Sequence, residues 1–449
     1  MGVNNMDNQS SFYQQIDSIH FPAPLPKTLL AVEQHFDAPS VGNVAEATVN
    51  ALTESDLLDK MEAGGSVAVG VGSRGIANLS TIVKTTVDTL KSRDLHPFVI
   101  PAMGSHAGAT AEGQTEMLAN LGVTSASVGA EIRATMDVTQ IGDVSEIVAG
   151  GPPLYQDVYS VDASHTLLIN RIKAHTSFRG SIESGLAKMC AIGLGKQFGA
   201  ADFHRQGVKA LKTYLAPAAR IYERNTNVVG GLAIVENAYD DTAEIVGLSA
   251  AEIGAEREAA LLVRAKSLMA SLPFSAIDVL VVRELGKNIS GTGMDTNVIG
   301  RCKIPRQPEN FGGPDIGTIA VLDLTAQSHG NANGMGLANV TTARLTRKID
   351  WQAIYTNSLT SGVLGMWRAS MPLAMADDAR AIQAALLGCA EPPEEAKIVL
   401  IRNTLALDTM WVSASLRAEV DAHPRLSVLD EIALSFDDGI MVSPWEMER

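Results

Sequence analysis

Four side chains between residues 106 and 204 could carry proton, metal or covalent chemistry: His106, His175, Lys188 and His204. His106 stands in Gly104-Ser105-His106-Ala107-Gly108, where small neighbours let a ligand approach the ring closely. An imidazole titrates near neutral pH and is a usable general base; a buried structural histidine is the alternative at this position. His175 follows Lys173 in a loop-like stretch with Thr176, Ser177 and Gly180. Lys188 lies in an otherwise apolar run, where a desolvated amine is a nucleophile or covalent anchor, and where a lysine reaching out to water is the ordinary alternative. His204, between Phe203 and Arg205, is a ligand candidate or a helix-terminal surface residue. Arg74 could pair a carboxylate in bidentate fashion or make a surface ion pair. No second His or Cys stands at a local ligand spacing, so a conventional zinc site is poorly supported.

Three of these residues share one segment. From Asn170 to Arg205 there are six Lys/Arg against two Asp/Glu, in a chain of 449 residues whose net charge is −15. A basic, histidine-bearing island in an acidic protein suits a small anionic ligand. The same net charge, with no long basic run, makes nucleic acid and anionic membrane poor partners. Hydrophobic residues make up 46% and charged residues 19%, a globular composition. The three cysteines, Cys190, Cys302 and Cys389, form neither a disulfide framework nor a CxxC site, which suits a reducing cytoplasm. The first residues lack the basic and apolar regions of a signal peptide, and no apolar run reaches membrane-span length. The expected location is cytoplasmic.

The elements that must hold these side chains read as α/β. Ser66–Val71 is a buried strand followed by a glycine turn and a helix over about 78–91. The run 96–102 is a second strand and 111–121 a second helix. The strand 165–172 delivers its carboxyl end to Lys173 and His175. Ligands gather at such strand ends in open α/β sheets. A helix is expected over 183–194, with Leu186, Met189, Cys190 and Leu194 on one stripe. Further expected elements are a helix over 208–224, strands over 228–236 and 244–248, and a helix over 250–270. Ser271-Leu272-Pro273 breaks that helix and marks the expected boundary between domains 1–272 and 273–449. A second α/β set begins at 277–284 and continues at 317–324 and 397–401. The expected architecture is two α/β domains with mainly parallel sheets and a cleft between them.

Gly70-Val71-Gly72-Ser73-Arg74-Gly75 matches GxGxxG after a strand and before a helix. A dinucleotide site also wants an acid at the end of the next strand, and that strand ends in Ala102-Met103-Gly104. A tight strand–helix turn with an anion-friendly helix start is the simpler reading. An NAD-dependent dehydrogenase using Gly70–Gly75 is retained as an alternative function.

Taken together, Arg74, Gly104-Ser105-His106, His175, Lys188 and His204 resemble the nickel-dependent lactate racemase family. The similarity covers roughly residues 66–207, and the rest of the chain only in its two-domain outline. In that family a Gly-Thr-His motif supplies one catalytic histidine, a second opens a glycine-containing segment leading to a lysine, and a third follows the lysine by sixteen residues. The interval from Lys188 to His204 is also sixteen. The resemblance implies a nickel pincer nucleotide, a pyridinium-3,5-bisthiocarboxylic acid mononucleotide, attached covalently through Lys188 with His204 completing the nickel coordination. It also implies partner proteins that synthesise the cofactor. Soft sulfur, carbon and imidazole donors suit square-planar Ni(II).

The implied activity is racemisation or epimerisation of a 2-hydroxy acid by reversible hydride transfer. A hydroxyl carbon is a poor carbon acid, whereas a planar 2-keto acid takes hydride back on either face. The hydroxyl proton then needs a base on each side, the roles implied for His106 and His175, while Arg74 grips the acid. The sequence departs from the family in three places. The Asp-Arg-Thr-Arg-Pro stretch reads Val71-Gly72-Ser73-Arg74-Gly75, Met189 follows the lysine where Ser is expected, and three extra residues separate His175 from Lys188. These departures point away from lactate and toward another, larger 2-hydroxy acid such as a sugar acid. Lys287, Asp295, Trp351 and Trp367 are candidate pocket residues of the second domain. A non-catalytic binding protein for small organic acids is the other alternative.

Overall fold

The computed structural model describes residues 12–19, 23–73, 75–304, 311–442 and 444–446. Among them the chain forms two compact units, one of residues 37–269 and one joining the residues before 37 to those from 270 onward. The helix 256–268 ends at a backbone turned extended at Met269, close to the expected break at Pro273. The first strand, β1 (Thr28–Gln34), has no counterpart among the expected elements. It is buried on both faces and therefore shows no alternation to read.

In the 37–269 unit, β2 (Ser66–Val71) lies between β3 (His96–Pro101) and β6 (His165–Arg171), parallel to both. The hairpin of β4 (Val138–Asp143) and β5 (Pro153–Asp157) stands apart as its own two-stranded sheet. Beyond β6 come β7 (Val228–Glu236), parallel, and β8 (Thr242–Ser249), antiparallel, giving the order β3-β2-β6-β7-β8. Both faces of this sheet are covered. Val67, Val69 and Val71 pack into one apolar cluster and Ala68 into the other, as expected for parallel strands. Helices α1 (Leu79–Ser92), α2 (Ala111–Asn120), α3 (Lys196–Arg205), α4 (Gly207–Asn225) and α5 (Glu256–Leu268) belong to the same unit.

The second unit holds an eight-stranded sheet. Strands β9 (Ala276–Val282), β10 (Asp315–Val321), β11 (Val340–Thr342), β12 (Leu373–Met375) and β13 (Ile398–Ile401) pair in parallel. They are followed by β14 (Thr409–Val412), β1 and β15 (Leu426–Ala433) in antiparallel pairing. The chain is thus α/β with mainly parallel sheets. No helix among the described residues is long and apolar enough to cross a membrane.

Strand register decides where the candidate residues leave the first sheet. Val71 pairs with Pro101 on one side and Ile169 on the other. The segments that leave β2, β3 and β6 therefore emerge together at one edge of the sheet, the carboxyl edge.

Candidate functional site

His106 and His175 sit in the two segments that flank the end of β2. His106 follows β3 through a turn in which Gly104 has φ 60, and its amide donates to Met103 O at 3.2 Å. Its exposed ring makes a short hydrogen bond through Nδ1 to Ser73 Oγ, which lies just past β2. His175 is half-buried, its Nδ1 accepts from Ser177 N at 3.0 Å, and its ring packs on Phe178 at 4.4 Å between centroids. An Nδ1 that accepts from a backbone amide sets the tautomer with the proton on Nε2. In both rings Nδ1 is engaged locally.

The loop after β6 is built around a carboxylate that no sequence motif singles out. Glu183 is 1% exposed and accepts from His175 N at 2.6 Å, Gly180 N at 3.1 Å and Lys266 Nζ at 2.6 Å. Lys173 and Ser184 close the base of the loop by pairing their backbones. Residues 173–184 thus form a closed excursion rather than a slack linker.

The helix expected over 183–194 starts later and changes character. Glu183 is committed to the loop, and Gly185 has no room for a side chain: a Cβ there would meet Glu258 Oε1 at 2.2 Å. Glu258, 2% exposed, accepts from Ala187 N at 3.2 Å and Gly254 N at 2.6 Å, so it caps the α-helical turn Leu186–Lys188. Asn170 on β6 holds the same turn by donating to Gly185 O at 3.0 Å. Met189–Leu194 then continues as a π-helical turn, all six residues buried, a geometry that recurs at functional sites.

Lys188 is half-buried at the start of that turn, and His204 lies in the last turn of α3. His204 keeps exposed surface although neighbouring atoms partly desolvate its ring. Burial, and second the Lys188 ammonium, push its pKa below the ordinary 6.5. The neutral imidazole therefore persists to lower pH than usual. Its contribution to stability is present above pH 6.5 and is lost as the pH falls through the lowered value. Lys188→Met is expected to raise the His204 pKa part of the way back, because burial remains. Histidine-selective NMR titration checks this, and an unmoved pKa would show that the two side chains are not electrostatic neighbours.

Among the described residues, no three His, Cys, Asp or Glu side chains converge as a metal site. Lys188 and His204 offer one amine and one imidazole, with the ammonium acting on the ring's titration; such a pair could hold only a group that brings most of its own ligands. Cys190 is not a substitute donor, because complete burial pushes its thiol far up.

Arg74 lies outside the described residues. Further on, Glu236 at the end of β7 accepts from Ala77 N at 2.7 Å and pairs with Arg171. The glycines before Arg74 answer to packing. A Cβ on Gly70 would meet Leu168 Cδ2 at 2.9 Å, and one on Gly72 would meet Asn170 Oδ1 at 2.9 Å. Close strand packing thus accounts for two glycines of the GxGxxG pattern, and a carboxylate already sits at the start of the following helix.

Lys287, Asp295, Trp351 and Trp367 belong to the second unit. Lys287 Nζ closes its own loop by donating to Gly291 O at 2.9 Å and Asn333 O at 2.8 Å. Asp295 is buried and accepts from Asn297 N at 2.9 Å. Trp351 and Trp367 are exposed, on the neighbouring helices Trp351–Thr360 and Gly362–Arg368.

No protein-family profile and no curated protein matches the sequence. Solved structures do resemble the fold. One is a crystal structure of a Thermotoga maritima protein, at 14% identity and TM-score 0.45, covering 62% of this chain and 69% of that one. Another is the lactate racemase apoprotein of Thermoanaerobacterium thermosaccharolyticum, at 12% identity and TM-score 0.43, covering 80% of this chain and 95% of that one.

Proposed function

We propose that this chain is an isomerase, a racemase or epimerase of a small anionic 2-hydroxy acid that works with a nickel pincer nucleotide. The observation that carries the reading is the joint emergence of His106 and His175 beside the end of β2, each with Nδ1 engaged locally. Inverting a hydroxyl-bearing carbon by transient oxidation requires the hydroxyl proton to leave on one side and return on the other, and so two proton carriers. In this reading Nε2 of His106 and Nε2 of His175 hold and return that proton. The basic island around them draws the substrate carboxylate, with Arg74 as its bidentate partner.

Lys188 would hold the cofactor covalently and His204 would ligate its nickel. The chemistry such a group supplies when bound is reversible hydride acceptance. The His175–Lys188 stretch, three residues longer than in the resembled family, is the element we assign to substrate choice, favouring a hydroxy acid larger than lactate.

The test is intact-mass measurement after co-expression with cofactor-synthesis enzymes. Wild type is expected to gain a discrete mass that Lys188→Ala does not gain, and a wild-type gain no larger than that of Lys188→Ala would overturn the covalent role. Loaded protein is then screened against 2-hydroxy acids and aldonates by chiral analysis in deuterated water. Solvent deuterium at the inverted carbon would argue for ordinary proton abstraction instead.

A further inference from the structure

A second, fully buried lysine stands midway between the two proposed cofactor residues, eight positions after Lys188 and eight before His204. Lys196 is 0% exposed and lies 2.9 Å from Asp157 Oδ2, also 0% exposed, at the end of β5. Its ammonium also donates to Pro101 O, the last residue of β3, and to Gln114 Oε1 at 3.4 Å. Gln114, likewise 0% exposed on α2, passes the connection on, donating to Gly104 O at 2.9 Å and His106 O at 3.4 Å. The turn from Pro101 to His106 is therefore gripped at both ends by one buried network.

The same turn is docked backbone to backbone on the π-helical segment. Gly104 N donates to Gly193 O at 3.2 Å. A Cβ on Gly193 would meet Ala102 O at 2.7 Å, and one on Gly104 would meet Ile192 O at 3.1 Å. Strain marks both partners. Ala107 and Ala109, just past His106, have φ 53 and 55, and Lys196 has φ 50. Left-handed backbone at residues with a Cβ persists only where the surroundings over-determine it.

A buried ion pair is a weak device for stability, since apolar replacements of similar volume often do as well. Its return here is geometric. We infer that Lys196 is a positioning residue: through Asp157, Pro101 and Gln114 it fixes the His106 turn against the segment that carries Lys188 and His204. This rests on the proposed role of His106, but it is measurable without cofactor or turnover.

The experiment measures the rate at which diethyl pyrocarbonate modifies His106 in the unloaded full chain, by peptide mass mapping, with exposed His96 and His35 as internal references. Lys196→Met/Asp157→Asn removes both charges together and keeps an oxygen to accept from Ser160 N. Gln114→Met cuts the relay while leaving the ion pair intact. In each variant that keeps its thermal transition, the His106 rate is expected to change by about threefold to tenfold, the scale of one or two lost buried hydrogen bonds, with the reference rates unchanged. An unchanged His106 rate in a folded variant overturns the inference. If the paired variant does not fold, Gln114→Met alone decides. A wild type that takes up no cofactor mass while the His106 rate still responds would sink the proposed function and leave the positioning role standing.

Discussion

Replacing Glu183 with alanine is expected to destabilise the 37–269 unit by about 2–4 kcal/mol. The carboxylate is side-chain buried and serves three donors at once, two backbone amides and the Lys266 ammonium. Removing it leaves two inward-facing N–H groups without an acceptor, and that desolvation cost dominates. The figure sits below the full cost of breaking a buried ion pair because Lys266 is 34% exposed and can turn to water. Glu183→Gln keeps an acceptor for one or two of the donors and should lose about half as much. Urea titration followed by probes in this unit measures both. A loss under about 1 kcal/mol for the alanine variant would show that the Lys173–Ser184 pairing alone holds the loop.

In cofactor-loaded protein, His106→Ala and His175→Ala are each expected to lower kcat/KM by about 10²–10⁴-fold. The two directions must slow by the same factor, since no variant changes the equilibrium constant between substrate and product. The double variant should cost far less than the product of the singles, because two groups serving one proton transfer act as a unit. The measurement is the rate of isomer interconversion from each pure isomer. A rate preserved in either single variant removes that histidine from the proposed mechanism.

Much of the positioning scaffold was legible in the sequence, because strand ends announce themselves. β2 and β3 are short apolar runs that stop at glycine-rich turns, and α1 and α2 keep their periodicity. What stayed hidden was pairing at a distance. Asp157 and Lys196 lie on different elements, and nothing in either local sequence says that both charges are buried together. Glu183 reads as the first residue of a helix because Leu186, Met189, Cys190 and Leu194 fall on one apolar stripe behind it. Three donors in the folded loop outbid that preference, and steric exclusion at Gly185 set the true start. The π-helical turn follows from no residue pattern, since its six small or apolar residues would fit an α-helix equally well. Among the candidate residues, Lys188 attracted attention as the lysine in apolar company, yet Lys196 is the one sealed from water.

The seat of β1 has a consequence for how the chain is made. Thr28–Gln34 is the middle strand of a three-stranded seam whose other members, β14 and β15, begin at Thr409 and Leu426. About 375 residues of synthesis separate the end of β1 from its first partner, roughly 20–75 s at ordinary ribosomal speeds. The 37–269 unit can close in that interval, but the apolar run Leu29–Val32 must wait with both hydrogen-bonding edges open, a template for wrong partners. A ribosome-bound chain halted near residue 300 should therefore hold a finished first unit and a tethered, adhesive strand. Capture of β1 therefore waits for strands made long after it.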